Sequence, residues 1–255
     1  TPSSASTDSF SKNITFHQSY SYEDFVEGIR PEVKHEKVTY KPVDGIFKEI
    51  SEDAAQDPNN EYVLVIDEIN RGNIEKIFGE LITLIEDDKR QKSHKTILPY
   101  TQKSFWIPKN LLIIGTMNTA DRSIAQIDTA LRRRFAFEEL MPKPELVDEE
   151  IDGISLKTLL EKLNDRIRAE GNALREKQIG HSYFMKVKNL SELRITFAVE
   201  IVPLLQDYFY HDYKKLEESI LNSDFIDSEQ MMIKEKWKKD DASFKAAINK
   251  ILGHE

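Results

Sequence analysis

The most constraining feature of this sequence is an apolar run that ends abruptly in two carboxylates. Residues 63–66 read Val-Leu-Val-Ile, and Asp67 and Glu68 follow directly. Such a run predicts a strand buried on both faces of a parallel sheet, which delivers its acids to the sheet's carboxyl edge, where ligands of open α/β folds bind. One carboxylate there can hold Mg²⁺ and the next can orient water beside a phosphate. A core strand that runs into an acidic loop is the alternative.

A second apolar run predicts a neighbouring strand. Residues 111–116 read Leu-Leu-Ile-Ile-Gly-Thr, and the polar stretch 117–123 follows, so two parallel strands are expected to deliver polar residues to one edge. Residues 124–131 then predict a helix that ends in the three arginines 132–134, and residues 135–140 predict a further strand. By themselves, the arginines could simply complement the dipole of that helix.

The composition is that of a globular protein without cysteine. The 255 residues are 39% hydrophobic and carry a formal net charge of -9, which argues against broad electrostatic binding to nucleic acid. The absence of cysteine excludes disulfides, zinc thiolates and cysteine nucleophiles, and it is compatible with a cytoplasmic location. Since no apolar run approaches the roughly 20 residues of a membrane-spanning helix, no membrane contact is expected.

The chain is predicted to consist of a tail and two domains. Residues 1–12 are rich in serine and threonine, and we expect a disordered tail. Apolar residues at helical spacing predict an amphipathic helix over 73–88 within an α/β domain that spans 13–141. Prolines at 142 and 144 mark a boundary, and the helical pattern beyond it predicts a small helical domain over 142–255.

Four blocks of the sequence together resemble the McrB family of AAA+ proteins, the nucleotide-driven ring motors of modification-dependent restriction systems. The blocks are FHQSYSYEDFVEGIRP (16–31), VLVIDEINRGN (63–73), GTMNTADRSIAQIDTALRRRF (115–135) and GHSYF (180–184). The resemblance implies an α/β fold in which a P-loop-type parallel sheet is flanked by helices and lacks its N-terminal part. A small helical lid domain is expected to follow that sheet.

The resemblance also implies chemical roles for residues at the predicted sheet edge. By this resemblance, Asp67 is the Walker B aspartate that supports Mg²⁺ and Glu68 is the catalytic carboxylate. Asn70 is a helper that positions water, and Asn118 matches the polar sensor I residue. These roles agree with the needs of phosphoryl transfer, which requires a metal, an oriented water and added positive charge.

Three further residues match positions near the nucleotide in the family. Asp121 and Arg122 belong to the same signature loop as the sensor residue. His181 matches a position from which the lid domain can approach nucleotide, and a structural histidine is the alternative.

The three adjacent arginines receive two different assignments. By resemblance, Arg132 and Arg133 match the position from which AAA+ subunits offer arginine fingers to the nucleotide of a neighbouring subunit. Arg134, which is nearest the predicted strand, is assigned to a structural salt bridge.

The sequence departs from the family in one respect. A phosphate cradle has the pattern G-x-x-x-x-G-K-[ST], and none of the nine glycines here is followed by lysine. Because the sequence begins with Thr1, we expect a piece of a longer NTPase whose cradle lies upstream. Alone, this piece is expected to bind nucleotide weakly and to be inactive. The alternative is an assembly subunit that has lost nucleotide binding.

For the whole protein, the resemblance implies hydrolysis of GTP or ATP with Mg²⁺ by a homo-oligomeric ring, most simply a hexamer. It further implies a nuclease partner of the McrC type and contact with DNA through another domain or subunit. A generic remodelling ATPase of the MoxR or dynein-related type is the alternative for the whole protein.

Overall fold

The computed structural model describes residues 10–34, 37–118 and 129–254. The chain divides into two compact units, of which the first ends at Glu138 and the second begins at Glu139. Within the described ranges, no helix is long and apolar enough to cross a membrane.

The first unit is built on a parallel sheet with the strand order β1-β4-β7. Its strands in the described residues are β1 (Ser11–Thr15), β2 (Glu27–Lys34), β3 (Lys37–Asp44), β4 (Tyr62–Asp67), β5 (Thr96–Ile97), β6 (Ser104–Phe105) and β7 (Leu111–Gly115). Its helices there are α1 (Tyr22–Phe25), α2 (Ile46–Gln56), α3 (Ile74–Phe78) and α4 (Thr129–Arg132). Strands β2 and β3 form an antiparallel hairpin, and so do β5 and β6.

Strand β4 lies between β1 and β7 and is the core strand that the apolar run predicts. Leu64 and Ile66 are fully buried on one face of the sheet, and the parallel register pairs Leu64 with Ile113 of β7. On the other face, Leu112 and Ile114 of β7 are 54% and 41% exposed. The second apolar run therefore forms the predicted strand, which is buried on one face only.

Strand β1 begins inside the segment predicted to be a tail. Ser11 pairs with Val63 and Lys12 with Leu64 in parallel register. The backbone groups of β1 are satisfied by hydrogen bonds to β4. The serine-rich composition does not predict this strand, because its pairing depends on the neighbouring strand. Ser11 and Lys12 thus belong to the sheet rather than to a disordered tail.

Two predicted elements that follow the core strands also differ from expectation. The helix predicted over 73–88 is α-helical only to Phe78, because Gly79 has a φ of 52° that interrupts the α-helix, and 3₁₀ turns follow. Residues 135–140, all of them described, form no strand. Their apolar residues find no neighbouring strand to pair with in the described part of the sheet, so that prediction is wrong.

A buried ion pair joins α2 to the base of the β2–β3 hairpin. Glu27 is 0% exposed, and its carboxylate accepts hydrogen bonds from Tyr100 N at 2.8 Å, Thr101 N at 3.0 Å and Thr101 Oγ1 at 2.7 Å. Lys48 Nζ donates to Glu27 Oε2 at 3.3 Å and to Asp44 Oδ1 at 2.5 Å. These contacts tie together three segments that are distant in sequence.

The second unit is mainly helical. Its helices in the described residues are α5 (Leu156–Ala169), α6 (Leu190–Thr196), α7 (Val202–Tyr208), α8 (Tyr213–Lys215), α9 (Lys236–Lys239) and α10 (Asp241–Leu252). Two short hairpins pair β8 (Glu150–Ile151) with β9 (Ile154–Ser155) and β10 (Ile226–Asp227) with β11 (Met232–Ile233). A parallel sheet with flanking helices, followed in the chain by a helical unit, confirms the predicted fold class.

The core of the helical unit forms around α5. Ser155 Oγ accepts a hydrogen bond from Thr158 N at 3.2 Å, which caps the helix. The apolar residues of one helix face are fully buried, namely Leu159, Leu160, Leu163 and Ile167. A π-helical turn at Phe197–Ile201 separates α6 from α7, just before Pro203.

Candidate functional site

The carboxyl end of β4 places two acidic residues beside the end of β7. Asp67 is the last residue of β4, and its Oδ1 accepts a hydrogen bond from Thr116 Oγ1. The backbone N–H of Glu68 also donates to Thr116 Oγ1, at 3.4 Å. The Thr116 hydroxyl therefore joins both acidic residues to the neighbouring strand end, at the edge where open α/β sheets bind ligands.

Glu68 sits in a tight turn with an uncommon backbone conformation. Its φ of 52° lies in the left-handed region, which few residues other than glycine adopt. Its Oε2 accepts a hydrogen bond from Arg71 Nε at 3.0 Å, and its side chain is 27% exposed. The carboxylate is thus both oriented by an arginine and accessible to a ligand.

Asn70 supplies a buried acceptor next to these carboxylates in sequence. The residue is 8% exposed, and its Oδ1 has no hydrogen-bond partner among the residues that the structure describes. A buried acceptor left without a partner costs about 1–3 kcal/mol, so such a group needs an explanation. A water or a bound ligand that donates to Asn70 Oδ1 would provide one.

The other residues predicted for the sensor loop are only partly described. Asn118 follows β7 and is exposed. Asp121 and Arg122 lie outside the described residues. Of the predicted site, the structure therefore brings together Asp67 and Glu68 through Thr116.

The three arginines at the end of α4 lie in different surroundings. Arg132 and Arg133 are exposed. Arg134 Nε lies 2.9 Å from Glu86 Oε1 and its side chain is 18% exposed, which confirms the predicted structural salt bridge. A hydrogen bond from Lys89, together with the charge of Arg134, lowers the pKa of the Glu86 carboxyl, so this partner stays ionised.

His181 belongs to the helical unit and has a structural contact there. Its Nδ1 accepts a hydrogen bond from the backbone N–H of Lys143 at 3.3 Å. The residue is half-buried in a 3₁₀ turn, residues 181–183. This contact favours the structural alternative for His181.

The oxygen donors at the end of β4 suit Mg²⁺ that arrives with a nucleotide. Among the described residues, no group of three or more histidine, cysteine, aspartate or glutamate side chains could hold a metal ion. Proteins usually bind Mg²⁺ through one or two carboxylates together with waters and substrate phosphates. Asp67 and the hydroxyl of Thr116 fit that mode of binding. A metal site formed by protein side chains alone is absent from the described part of the chain.

Two residues of this site were missed by the sequence analysis. The apolar run predicts Thr116 only as the end of a strand, although this residue is the first hydroxyl after the run and so lies at the same edge. Arg71 was given no role, although it follows Glu68 by three residues, a spacing at which side chains of one helical turn meet. Both signals were present in the sequence.

Comparison with known proteins identifies the family. The model of the AAA domain (dynein-related subfamily) matches residues 5–135, and that of the McrB alpha-helical lid domain matches residues 155–217. The "Type IV methyl-directed restriction enzyme EcoKMcrB subunit" of Escherichia coli (strain K12) is 39% identical over 226 residues, which cover 79% of this chain and 48% of that protein.

A second relative is more distant. The "Type II restriction enzyme BsuMI component YdiS" of Bacillus subtilis (strain 168) is 26% identical over 161 residues, which cover 50% of this chain and 47% of that protein. The chain thus spans about half the length of the curated relatives it matches. The two family models, the 39% identity and the sheet edge around Asp67 lead to one conclusion: the chain belongs to the McrB family of AAA+ proteins.

Proposed function

We propose that this chain is the nucleotide-hydrolysing module of a McrB-like restriction motor that uses GTP or ATP. The observation that carries the proposal is the position of two carboxylates at one edge of the sheet. Asp67 is the last residue of β4, Glu68 follows it, and both contact Thr116 at the end of β7. These carboxylates are held by the strand ends and are still accessible, as a site for phosphoryl transfer requires. The names of both relatives support a restriction system.

The chemistry follows from placing a water and a γ-phosphate at this edge. Glu68 orients the attacking water and takes up its proton, and Asn70 Oδ1 accepts a second hydrogen bond from that water. The buried, unpartnered state of Asn70 Oδ1 among the described residues supports this role. Asn118 contacts the γ-phosphate. Mg²⁺ bound at Asp67 would neutralise part of the negative charge of the phosphates.

The site is completed by a neighbouring copy of the protein. Arg132 and Arg133 act as arginine fingers on the nucleotide of the next subunit, and their exposure supports this role. A head-to-tail contact that repeats and closes gives a ring, which we take to be a hexamer. Asp121 and Arg122 contact the bound nucleotide in this proposal, whereas His181 has the structural role that its contact with Lys143 favours.

The whole protein is proposed to act in the cytoplasm as part of a larger system. The first unit, which ends at Glu138, forms its AAA+ core, and the second unit, which begins at Glu139, forms its lid. A phosphate cradle elsewhere in the whole protein completes the nucleotide site. The ring drives a nuclease subunit of the McrC type, and another domain or subunit contacts modified DNA.

The metal role of Asp67 provides a direct test of the proposed function. In the whole protein, Asp67→Asn is expected to weaken nucleotide binding in Mg²⁺ at least about tenfold. Mutating a residue that only hydrogen-bonds to a metal ligand already lowers metal affinity roughly 10- to 100-fold, and loss of the ligand itself should cost no less. Calorimetric titration with non-hydrolysable GTP and ATP analogues, in Mg²⁺ and in EDTA, measures this. Asp53→Asn, on an exposed position of α2, is the control. Equal affinities of wild type and Asp67→Asn in Mg²⁺ would refute the assignment.

A further inference from the structure

The two exposed arginines at the end of α4 lie between two residues that are held in place. Leu131, which precedes them, is 3% exposed and packs in the core of the first unit. Arg134, which follows them, lies with its Nε 2.9 Å from Glu86 Oε1. A backbone hydrogen bond from Arg134 N to Leu131 O, at 2.9 Å, closes the turn between them. Arg132 and Arg133 are therefore exposed on a short segment whose two ends are fixed.

Glu86 uses both of its carboxylate oxygens in ion pairs. Oε1 faces Arg134, and Oε2 accepts a hydrogen bond from Lys89 Nζ at 2.6 Å. The side chains of Arg134 and Glu86 are 18% and 28% exposed, so water and salt screen this pair less than they screen fully exposed pairs. The hydrogen bond from Lys89 and the charges of both cations hold the pKa of the Glu86 carboxyl below its usual range. Glu86 is thus an ionised partner that Arg134 retains.

The turn that carries Glu86 is fastened to the parallel sheet. Arg90 Nε donates to Ile85 O at 2.8 Å, and an Nη1 hydrogen of the same guanidinium is donated to Leu111 O at 2.7 Å. Leu111 is fully buried and is the first residue of β7. A backbone hydrogen bond from Lys89 N to Glu86 O, at 2.9 Å, closes the turn itself. The Glu86 carboxylate is therefore held in a fixed place relative to the sheet.

An arginine that acts on the nucleotide of another subunit needs such a fixed starting point. Its long side chain loses rotamer freedom when it binds a phosphate, and a mobile backbone would add to that entropic cost. In catalysis, a misplacement of about 1 Å can lower the rate roughly 10²-fold. An anchor beside Arg132 and Arg133 is thus expected to affect the rate of hydrolysis more than the stability of the fold.

We infer that Glu86 is a positioning residue for Arg132 and Arg133, and that it acts through Arg134. This inference rests on the proposed function, in which the two exposed arginines reach the nucleotide of the next subunit. Glu86 touches no substrate; it fixes the backbone from which the two side chains extend. Its loss slows hydrolysis at the neighbouring subunit's site. An ion pair that only stabilises the fold is the alternative, and it would leave the turnover of each folded molecule unchanged.

The turnover of the whole protein measures this positioning role. Glu86→Gln removes the charge and keeps the size of the side chain, and it is expected to lower turnover per folded molecule about tenfold. Affinity for a non-hydrolysable nucleotide should not change, because the arginines act in the transition state. Glu49→Gln is a matched control, since it breaks the exposed ion pair with Lys12 in the same unit and should keep wild-type turnover. Equal turnover of Glu86→Gln and wild type would overturn the inference.

Mixed rings show on which subunit's site Glu86 acts. Glu86→Gln subunits keep an intact Glu68 but present their arginines poorly, whereas Glu68→Gln subunits keep well-placed arginines. Mixing the two is expected to raise turnover above the sum of the separate variants, since some interfaces then combine an intact Glu68 with well-placed arginines. A mixture that never exceeds this sum would place the effect of Glu86 within its own subunit and would overturn the inference.

The contact between Glu86 and Arg134 can be measured in the 255-residue chain without nucleotide. The NMR resonance of the Arg134 Nε–H group, assigned with the Arg134→Lys variant, is expected to shift in Glu86→Gln and to stay in place in Glu49→Gln. An unchanged resonance in Glu86→Gln would contradict the inference.

A second variant serves if Glu86→Gln does not fold. Arg134→Lys keeps the positive charge but lacks the planar guanidinium that matches a carboxylate. Its turnover is likewise expected to fall and to recover on mixing with Glu68→Gln subunits. Wild-type turnover in Arg134→Lys would then decide against the positioning role.

The outcomes separate this inference from the proposed function. If Arg133→Ala loses turnover and regains it on mixing while Glu86→Gln turns over normally, the positioning role is wrong and the proposed function stands. If the whole protein hydrolyses no nucleotide, the proposed function fails and the positioning role fails with it.

Discussion

Two glutamates in the first unit differ in how far their hydrogen-bonding capacity is used. Glu27 is fully buried and accepts hydrogen bonds from two backbone amides, a hydroxyl and Lys48. Glu68 has a side chain that is 27% exposed and an arginine that orients it. A carboxylate saturated by its own chain can only hold the fold together, whereas one with an accessible oxygen can act on a ligand.

The three arginines 132–134 show the same contrast between a buried, paired side chain and exposed ones. Arg134 pairs with Glu86 and is mostly buried, whereas Arg132 and Arg133 are exposed. The salt bridge assigns Arg134 to the fold, whereas a partner for Arg132 and Arg133 is part of the proposed function.

The largest expected effect concerns the exposed arginines. In the whole protein, Arg132→Ala or Arg133→Ala is expected to lower the hydrolysis rate by about 10³-fold, because an arginine finger stabilises the charge of the transition state. Folding stability should change little. Mixing either variant with Glu68→Gln subunits should restore part of the activity, since some interfaces then combine an intact Glu68 with an intact finger. Steady-state turnover of mixtures that never exceeds the sum of the two variants would exclude action between subunits.

The next effect concerns the saturated carboxylate. Lys48→Met is expected to lower the free energy of unfolding by about 3 kcal/mol, because it leaves a buried charge on Glu27 without its cation. Lys12→Met is a matched control, since its pair with Glu49 at 2.7 Å is 31% and 50% exposed and should contribute under about 1 kcal/mol. Urea unfolding of the 255-residue chain measures both. Equal losses of unfolding free energy in the two variants would show that the buried ion pair stabilises the fold no more than the exposed one.

The smallest effect is a dependence of stability on pH. Burial raises the pKa of Glu27, but the hydrogen bonds from Thr101, Tyr100 and Lys48 outweigh it and hold the pKa below its usual range. A lowered pKa stabilises the fold above the unfolded value of about 4.3, and this contribution is lost as the pH falls through the folded pKa. Urea unfolding from pH 6 to pH 3 should therefore lose less stability in Glu27→Gln than in wild type. An identical slope in both proteins would contradict the assignment.

The sequence predicted the strands of the site better than the contacts within it. The apolar runs before Asp67 and Thr116 located both strand ends, because a buried strand leaves a local pattern. The break at Gly79 was missed, since a glycine inside an apolar helical pattern also fits a continuous helix. The pairing of Glu27 with Lys48 was missed as well, because these residues are 21 positions apart in the sequence and meet only through the packing of α2 against the hairpin.

The predicted strand over 135–140 failed for a related reason. Its two phenylalanines favour a strand locally, but a strand also needs a neighbour with free backbone groups. The orientation of Glu68 by Arg71 and the buried acceptor of Asn70 likewise depend on the fold of a single turn, which residue types alone do not specify. Local pattern therefore predicts where the site lies, and tertiary packing decides how it is arranged.

One measurement tests the contrast between the two glutamates most directly. It is the turnover per folded molecule of the Glu68→Gln and Glu27→Gln variants of the whole protein. The account predicts that Glu68→Gln loses turnover by about 10²-fold or more with unchanged melting, because a general base contributes roughly 10²–10⁴ in rate. Glu27→Gln should melt at a lower temperature and keep the turnover of each folded molecule. Normal turnover in Glu68→Gln would contradict the account, because the accessible carboxylate would then have no part in hydrolysis.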